Sequence, residues 1–177
     1  MGSSRRYVFV AVAATLVLSL AAIVPSATGA AKDDGVIAVT KGTEVFDING
    51  GAVATFRFEP EVITVASGTK VTWKHLDTSR DPHTITIVTS KRQLPHDFEG
   101  ANCKPCQAAD KGHFPNGKRP VPILNKGAPG LDRDGDSLLI APRRGASASA
   151  VISAPAGTTL YYVCIIHPWM QGTIKVT

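Results

Sequence analysis

Between Val36 and Val88 the chain runs in short apolar and polar alternations that turn residues keep interrupting, and this period of two is how the strands of an antiparallel sheet read. Ala52-Val-Ala-Thr-Phe-Arg-Phe58 alternates, Glu59-Pro60 breaks it, Val62-Ile-Thr-Val65 resumes, and Ser67-Gly68 turns into Thr69-Lys-Val-Thr-Trp73. His83-Thr-Ile-Thr-Ile-Val88 is a further strand, with Ile85 and Ile87 on one face and Thr84, Thr86 and Val88 on the other. Near the end of the chain, 146–153, 158–164 and 172–177 read as three more strands. No segment after residue 30 has a convincing helical period, so the expected class is all-β, a β-sandwich.

Residues 89–145 interrupt this pattern. They hold seven of the twelve prolines and seven of the sixteen glycines, with only brief apolar runs, and read as an ordered excursion with room for one short helix or strand pair rather than a second domain. The positive charge of the chain sits in this segment. Residues 1–30 stand apart: Arg5 and Arg6, an apolar run from Tyr7 to Val24 and the small residues of Pro25–Ala31 read as a secretory signal cleaved near Ala30. The run is also long enough for an uncleaved N-terminal anchor, the single route by which a membrane enters the expectation. Ser4-Arg-Arg-Tyr-Val-Phe9 partly matches a twin-arginine signal. Removing 1–30 lowers the formal charge from +5 to +3, too mild for a nucleic-acid partner. Residues 31–177 then suit one domain working in a periplasmic or extracellular space.

Three cysteines are an odd count for an oxidising compartment, so one thiol must be free, paired between chains, or bound. The stretch Tyr162-Val-Cys-Ile-Ile-His-Pro-Trp-Met-Gln-Gly172 offers an explanation. Cys164, His167 and Met170 are spaced by three, directly after an apolar strand and before a glycine that can turn the chain into the last one. A loop at one end of a sandwich can aim all three at one point, and His83, opening a strand after Asp81-Pro82, can supply a fourth donor from a sheet end. Two His, one Cys and a weak axial Met form the donor set of a blue-copper electron-transfer centre. A buried thiol acting as a small hydrophobe is the structural alternative for Cys164. A Cys-His hydrolase is the enzymatic one, but no oxyanion-hole motif accompanies the pair.

Cys164-x-x-His167-x-x-Met170, with Pro168 and Trp169 inside it, resembles the short ligand loop of amicyanin and its relatives among the plastocyanin-like cupredoxins. Phe56-x-Phe58-x-Pro60-x-x-Ile63-Thr-Val65-x-x-Gly68-x-x-Val71-Thr-Trp73, followed by Asp81-Pro-His83-Thr, is similar to that family's early strands and first ligand. The resemblance covers about 52–88 and 146–177. It implies a Greek-key sandwich carrying one type 1 copper, Cu(I)/Cu(II), with His83, Cys164 and His167 as close ligands and Met170 as the axial one. Two departures stand out: His75 occupies a place where the family commonly has Asn, and the step from His83 to Cys164 is about twice the usual length.

Five histidines, at 75, 83, 96, 113 and 167, are too few for a trinuclear copper cluster, and Ile165 and Ile166 rule out the second cysteine of a dinuclear centre. Cys103-Lys-Pro-Cys106 reads by default as a local disulfide. A Cys2His2 metal site with His96 and His113 is the alternative, and a thioredoxin-like role lacks its βαβ context. Asp132-Arg-Asp-Gly-Asp136 hints at calcium, but its Gly and the Arg143 at the twelfth place are wrong for an EF-hand, so a solvated turn is expected. The functional expectation is a monomeric, non-enzymatic shuttle passing single electrons between a donor and an acceptor redox protein, acidic partners if the basic segment steers them. The alternative is an extracellular copper carrier or buffer with the same ligands, and an enzyme using the long segment as a substrate site is the third.

Overall fold

Residues 35–96, 102–116, 118–127 and 129–177 are described by a computed structural model. The signal-like segment 1–30 lies outside them. Along the chain come β1 (Val36–Lys41), β2 (Glu44–Asp47), β3 (Gly51–Ala54), β4 (Arg57–Glu59), β5 (Val62–Val65), β6 (Lys70–His75) and β7 (His83–Val88). A single 3-10 turn (Lys91–Gln93) and a helix, α1 (Lys104–His113), follow, then β8 (Ile123–Leu124), β9 (Ser137–Ile140), β10 (Ser147–Val151), β11 (Thr159–Val163) and β12 (Gln171–Val176). One sheet has the order β10-β6-β1-β4 and the other β5-β12-β11-β7-β9-β8. The chain changes sheet between β4 and β5, β5 and β6, β6 and β7, and again between β9, β10 and β11. This crossing between layers is what places residues distant in sequence side by side, as the expected Greek-key sandwich requires.

The period of two explains which side chains meet. In β6, Val71, Trp73 and His75 are buried while Lys70, Thr72 and Lys74 are partly exposed. Trp73 packs edge-on to Tyr162 of β11, and Phe58 lies against the same ring. Around them Phe56, Ile85, Ile87, Ile140, Leu160 and Ile174 fill the space between the sheets. Each such fully buried apolar side chain contributes about 1.5–3 kcal/mol relative to exposure. Gly172 has no side chain for the same reason: a Cβ there would lie 2.2 Å from the Tyr162 ring.

Two strand pairs, β1 with β6 and β5 with β12, run parallel where the alternation predicts an antiparallel sheet, and the structure departs from the sequence pattern in three further places. Ala52–Phe58 is not one strand: β2 and β3 form a separate hairpin, leaving Val45, Phe46, Ile48 and Val53 exposed, and the sandwich resumes at Phe56. Gly42 permits the detour, since its φ is +130° and a Cβ would lie 2.5 Å from the Thr55 carbonyl oxygen. Strand β7 is buried on both faces, so its Thr84, Thr86 and Val88 do not meet solvent. They are covered by α1, whose buried Pro105, Cys106, Ala109 and His113 recur at helical spacing that two cysteines and small residues disguise. Thirdly, the turn at Asp132–Asp136 is not merely solvated. Asp136 is fully buried and accepts the backbone N–H groups of Lys126, Asp132 and Arg133, which offset the cost of burying its charge.

Segment 89–145 thus supplies a helix and two strands of the larger sheet. Cys103 and Cys106 are joined in a disulfide across the first turn of α1, which excludes the Cys2His2 site. His113, fully buried at the last turn, instead donates Nδ1–H to the Val121 carbonyl at 2.6 Å and meets Ser137 Oγ at 2.7 Å. Burial holds its pKa below the ordinary 6.5, so the folded chain resists a proton that the unfolded chain accepts. Stability carried by neutral His113 is therefore present above pH 6.5 and lost as pH falls below it. Urea titrations are expected to show this loss in the wild type and a flatter acid limb in His113→Gln.

Candidate metal centre

His83, Cys164 and His167 meet at one end of the sandwich. His83 opens β7, Cys164 directly follows β11, and both rows belong to neighbouring antiparallel strands. The loop from Cys164 closes tightly: Cys164 N–H donates to the Met170 carbonyl at 3.0 Å, and Met170 N–H donates to the His167 carbonyl at 2.8 Å. This turn brings His167 back over the sulfur. Cys164 Sγ lies 3.8 Å from His83 Nδ1 and 3.7 Å from His167 Nδ1, and the two nitrogens are 3.2 Å apart. A point equidistant from all three sits about 2.1 Å from each, within the range of metal–nitrogen and metal–thiolate bonds of about 2.0–2.3 Å. The triangle therefore fits a small ion. Met170 is fully buried in the same cluster as Cys164 and reaches this turn through its backbone bonds.

The surroundings orient each donor. Thr84 N–H points at the Cys164 sulfur from 3.4 Å. The far nitrogen of His83, Nε2, lies 2.9 Å from the Asp77 carboxylate, leaving Nδ1 aimed at the cluster. Asp77 is itself fully buried, accepting the Ser79 N–H at 2.9 Å and the Thr40 hydroxyl. His167 is treated differently: its Nε2 is 3.5 Å from the carboxylate of Asp81, whose side chain is half exposed. Phe56 and Trp169 stand edge-on to the His167 ring at 5.1 and 5.2 Å, and Trp169 is 40 % exposed.

These contacts set the charges. Burial pushes the His83 imidazole towards neutrality, but the bonds to Asp77 and the Cys164 sulfur outweigh it and raise its pKa to about 9. Burial likewise pushes the Cys164 thiol up, and the two imidazoles overcome that and bring it down to about 6. Asp77 stays far below the ordinary carboxylate range: burial opposes this, and His83, Thr40 and Ser79 prevail. The metal-free site thus favours a Cys164 thiolate beside a protonated His83, a charge pattern a cation can replace.

All four residues singled out in the sequence lie at this end of the molecule. Asp77 was not among them. Its signal was a carboxylate six residues ahead of His83, in a connection from β6 too short to leave the site. His75 is fully buried beside the same group, its ring 4.8 Å from that of His83 and its Nε2 3.2 Å from the Asp81 carbonyl.

A two-layer β-sandwich with a Cys-His-His pocket at its edge is the class these features define. The solved structures to which the chain is similar are cupredoxins. Reduced auracyanin from Roseiflexus castenholzii is 18% identical over 82% of this chain and 98% of its own, with a TM-score of 0.43. A purple cupredoxin from Nitrosopumilus maritimus is 16% identical over 80% and 99%, at 0.41. Amicyanin from Paracoccus versutus is 14% identical over 81% and 82%, at 0.38. No family model and no curated protein matches the chain.

In metal-free protein the ultraviolet absorbance of the Cys164 thiolate is expected to titrate near pH 6, with the charged form above it. His83→Gln removes one of the two stabilising imidazoles and is expected to move that midpoint upward.

Proposed function

We propose that the chain is an exported type 1 copper protein that shuttles single electrons between redox partners. The observation carrying this reading is the buried triangle of one sulfur and two imidazole nitrogens, 3.2–3.8 Å on its edges, in a closed end of a β-sandwich. His83 through Nδ1, His167 through Nδ1 and the Cys164 thiolate would be the close ligands, with Met170 the axial one. Bound copper would supply the one-electron Cu(I)/Cu(II) change.

The chain's own residues do the rest. Trp73, Phe56, Ile85 and the cluster around them exclude water, so the donors keep one arrangement instead of exchanging for solvent. Asp77 fixes which nitrogen of His83 is offered. Thr84 N–H holds the sulfur from the strand side. A donor set already in place before metal enters needs little rearrangement when its charge changes. His167 and Trp169 bring the site nearest the surface, so electrons would pass through this edge to a docked protein.

The same closure disfavours the carrier reading. His83 and Cys164 are fully buried and His167 is 6 % exposed, which suits retention rather than release. Export is supported by the Cys103–Cys106 disulfide, a bond that persists in oxidising compartments. The basic residues of 89–145 favour an acidic redox partner.

Residues 31–177 loaded with Cu(II) are expected to show an intense thiolate-to-copper band and a narrow copper hyperfine splitting in paramagnetic resonance, both lost in Cys164→Ser. A colourless protein that binds copper only weakly would refute the shuttle. Asp77→Asn removes a buried negative charge beside His83 and is expected to raise the reduction potential by about 60 mV, a tenfold gain for Cu(I), measured by redox titration.

A further inference from the structure

Two features of segment 89–145 remain without a part in the copper reading: a fully buried histidine and a disulfide. His113 donates Nδ1–H to the Val121 carbonyl, and its Nε2 faces the Ser137 hydroxyl at 2.7 Å. Ser137 Oγ is 2.7 Å from Thr86 Oγ1, and Thr86 is hydrogen bonded to the Thr84 hydroxyl at 3.2 Å. Thr84 Oγ1 then accepts the backbone N–H of Ile165 at 2.9 Å, next to the cysteine whose sulfur faces Thr84 N–H. All four side chains are fully buried. A continuous polar series therefore runs from the end of α1, through β9 and the outer face of β7, to the residue after Cys164.

The disulfide approaches the same loop from its other side. Cys103 and Cys106 form a buried cluster with Val88 and Val163, and Ile165 packs against it. Both neighbours of Cys164 are thus in contact with elements that 89–145 supplies or holds. Burying four polar side chains costs free energy that an apolar layer of the same volume would not, unless each bond is made. What the polar series adds over apolar packing is direction, because a hydrogen bond fixes the position of one amide.

We infer that α1, with its disulfide, positions the metal centre: the series His113, Ser137, Thr86 and Thr84 holds the Ile165 amide and so keeps the Cys164 loop in the register the donor triangle needs. The purpose assigned here rests on the copper reading, but the mechanical link does not. Ser137, Thr86 and Thr84 are positioning residues, acting on the metal only through the loop. The segment that lengthens the step from His83 to Cys164 is then a part of the site's support.

The test uses residues 31–177 with Ser137→Ala, Thr86→Val and Thr86→Ser, and Val176→Ala as a control for lost stability at the opposite end of β12. Without metal, amide exchange at Ile165 relative to Ile174 is expected to quicken about tenfold in Ser137→Ala and Thr86→Val, to stay near wild type in Thr86→Ser, and to be unchanged in Val176→Ala. With Cu(II) bound, the first two are expected to shift the thiolate-to-copper band and the hyperfine splitting, and Val176→Ala is not. Unchanged Ile165 exchange in both Ser137→Ala and Thr86→Val would overturn the link. Faster exchange with an identical copper spectrum would overturn the positioning role. If Ile165 responds while even the wild type gives no copper band, the link stands and the copper reading fails.

Discussion

Three electron-pair donors are forced together in a dry pocket, and the molecule is built around that constraint. Two imidazole nitrogens 3.2 Å apart, each within 3.8 Å of a sulfur, repel one another unless a proton or a cation lies between them. Bulk solvent does not reach the donors to relieve this, because Cys164 and His83 are completely covered. The energy that keeps them in place must come from elsewhere: the apolar packing between the sheets, the tight Cys164–Met170 turn, and the Asp77 carboxylate behind His83. In the metal-free chain the proton on His83, facing the Cys164 thiolate, relieves part of that repulsion.

The support of the two imidazoles is unequal. His83 leans on a carboxylate that is sealed inside and itself held by Thr40 and Ser79, whereas His167 faces Asp81 across a longer gap at the surface. One ring is anchored in the scaffold and the other in a loop flanked by Trp169. Rigidity and access are thereby divided between two chemically identical rings. The loop side is the one nearer to solvent, with Trp169 40 % exposed beside it.

The framework was readable in the sequence wherever burial is one-sided. Alternation in β6, β11 and β12 marked the inward residues, and the spacing of Cys164 and His167 with a strand-opening His83 marked three side chains that converge. Pattern failed where both faces are covered or where neither is. Strand β7 carries threonines on a face that reads as solvent-facing, yet those hydroxyls bond to one another and to Ser137 under α1. The β2–β3 hairpin carries valine and phenylalanine in a strand period but forms a sheet of its own and leaves them exposed. Helix α1 is one short helix whose buried positions are cysteine, alanine, proline and histidine, types that carry little hydrophobic signal. Asp77 was hidden because a carboxylate in a loop looks solvated until its partners are placed around it.

The Cys103–Cys106 bridge closes a ring of only a few residues. By the chain-entropy relation, a link so short restricts the unfolded polypeptide by about 2 kcal/mol, against nearly 5 for a 100-residue loop. As a global tether it does little. Its effect is concentrated where it sits, in the first turn of α1 and the wall behind Val163. Reducing it would leave the two sheets joined as before while softening the one surface on which the cysteine loop rests, so in this molecule thiol chemistry at one sulfur pair is a local dial rather than a master switch.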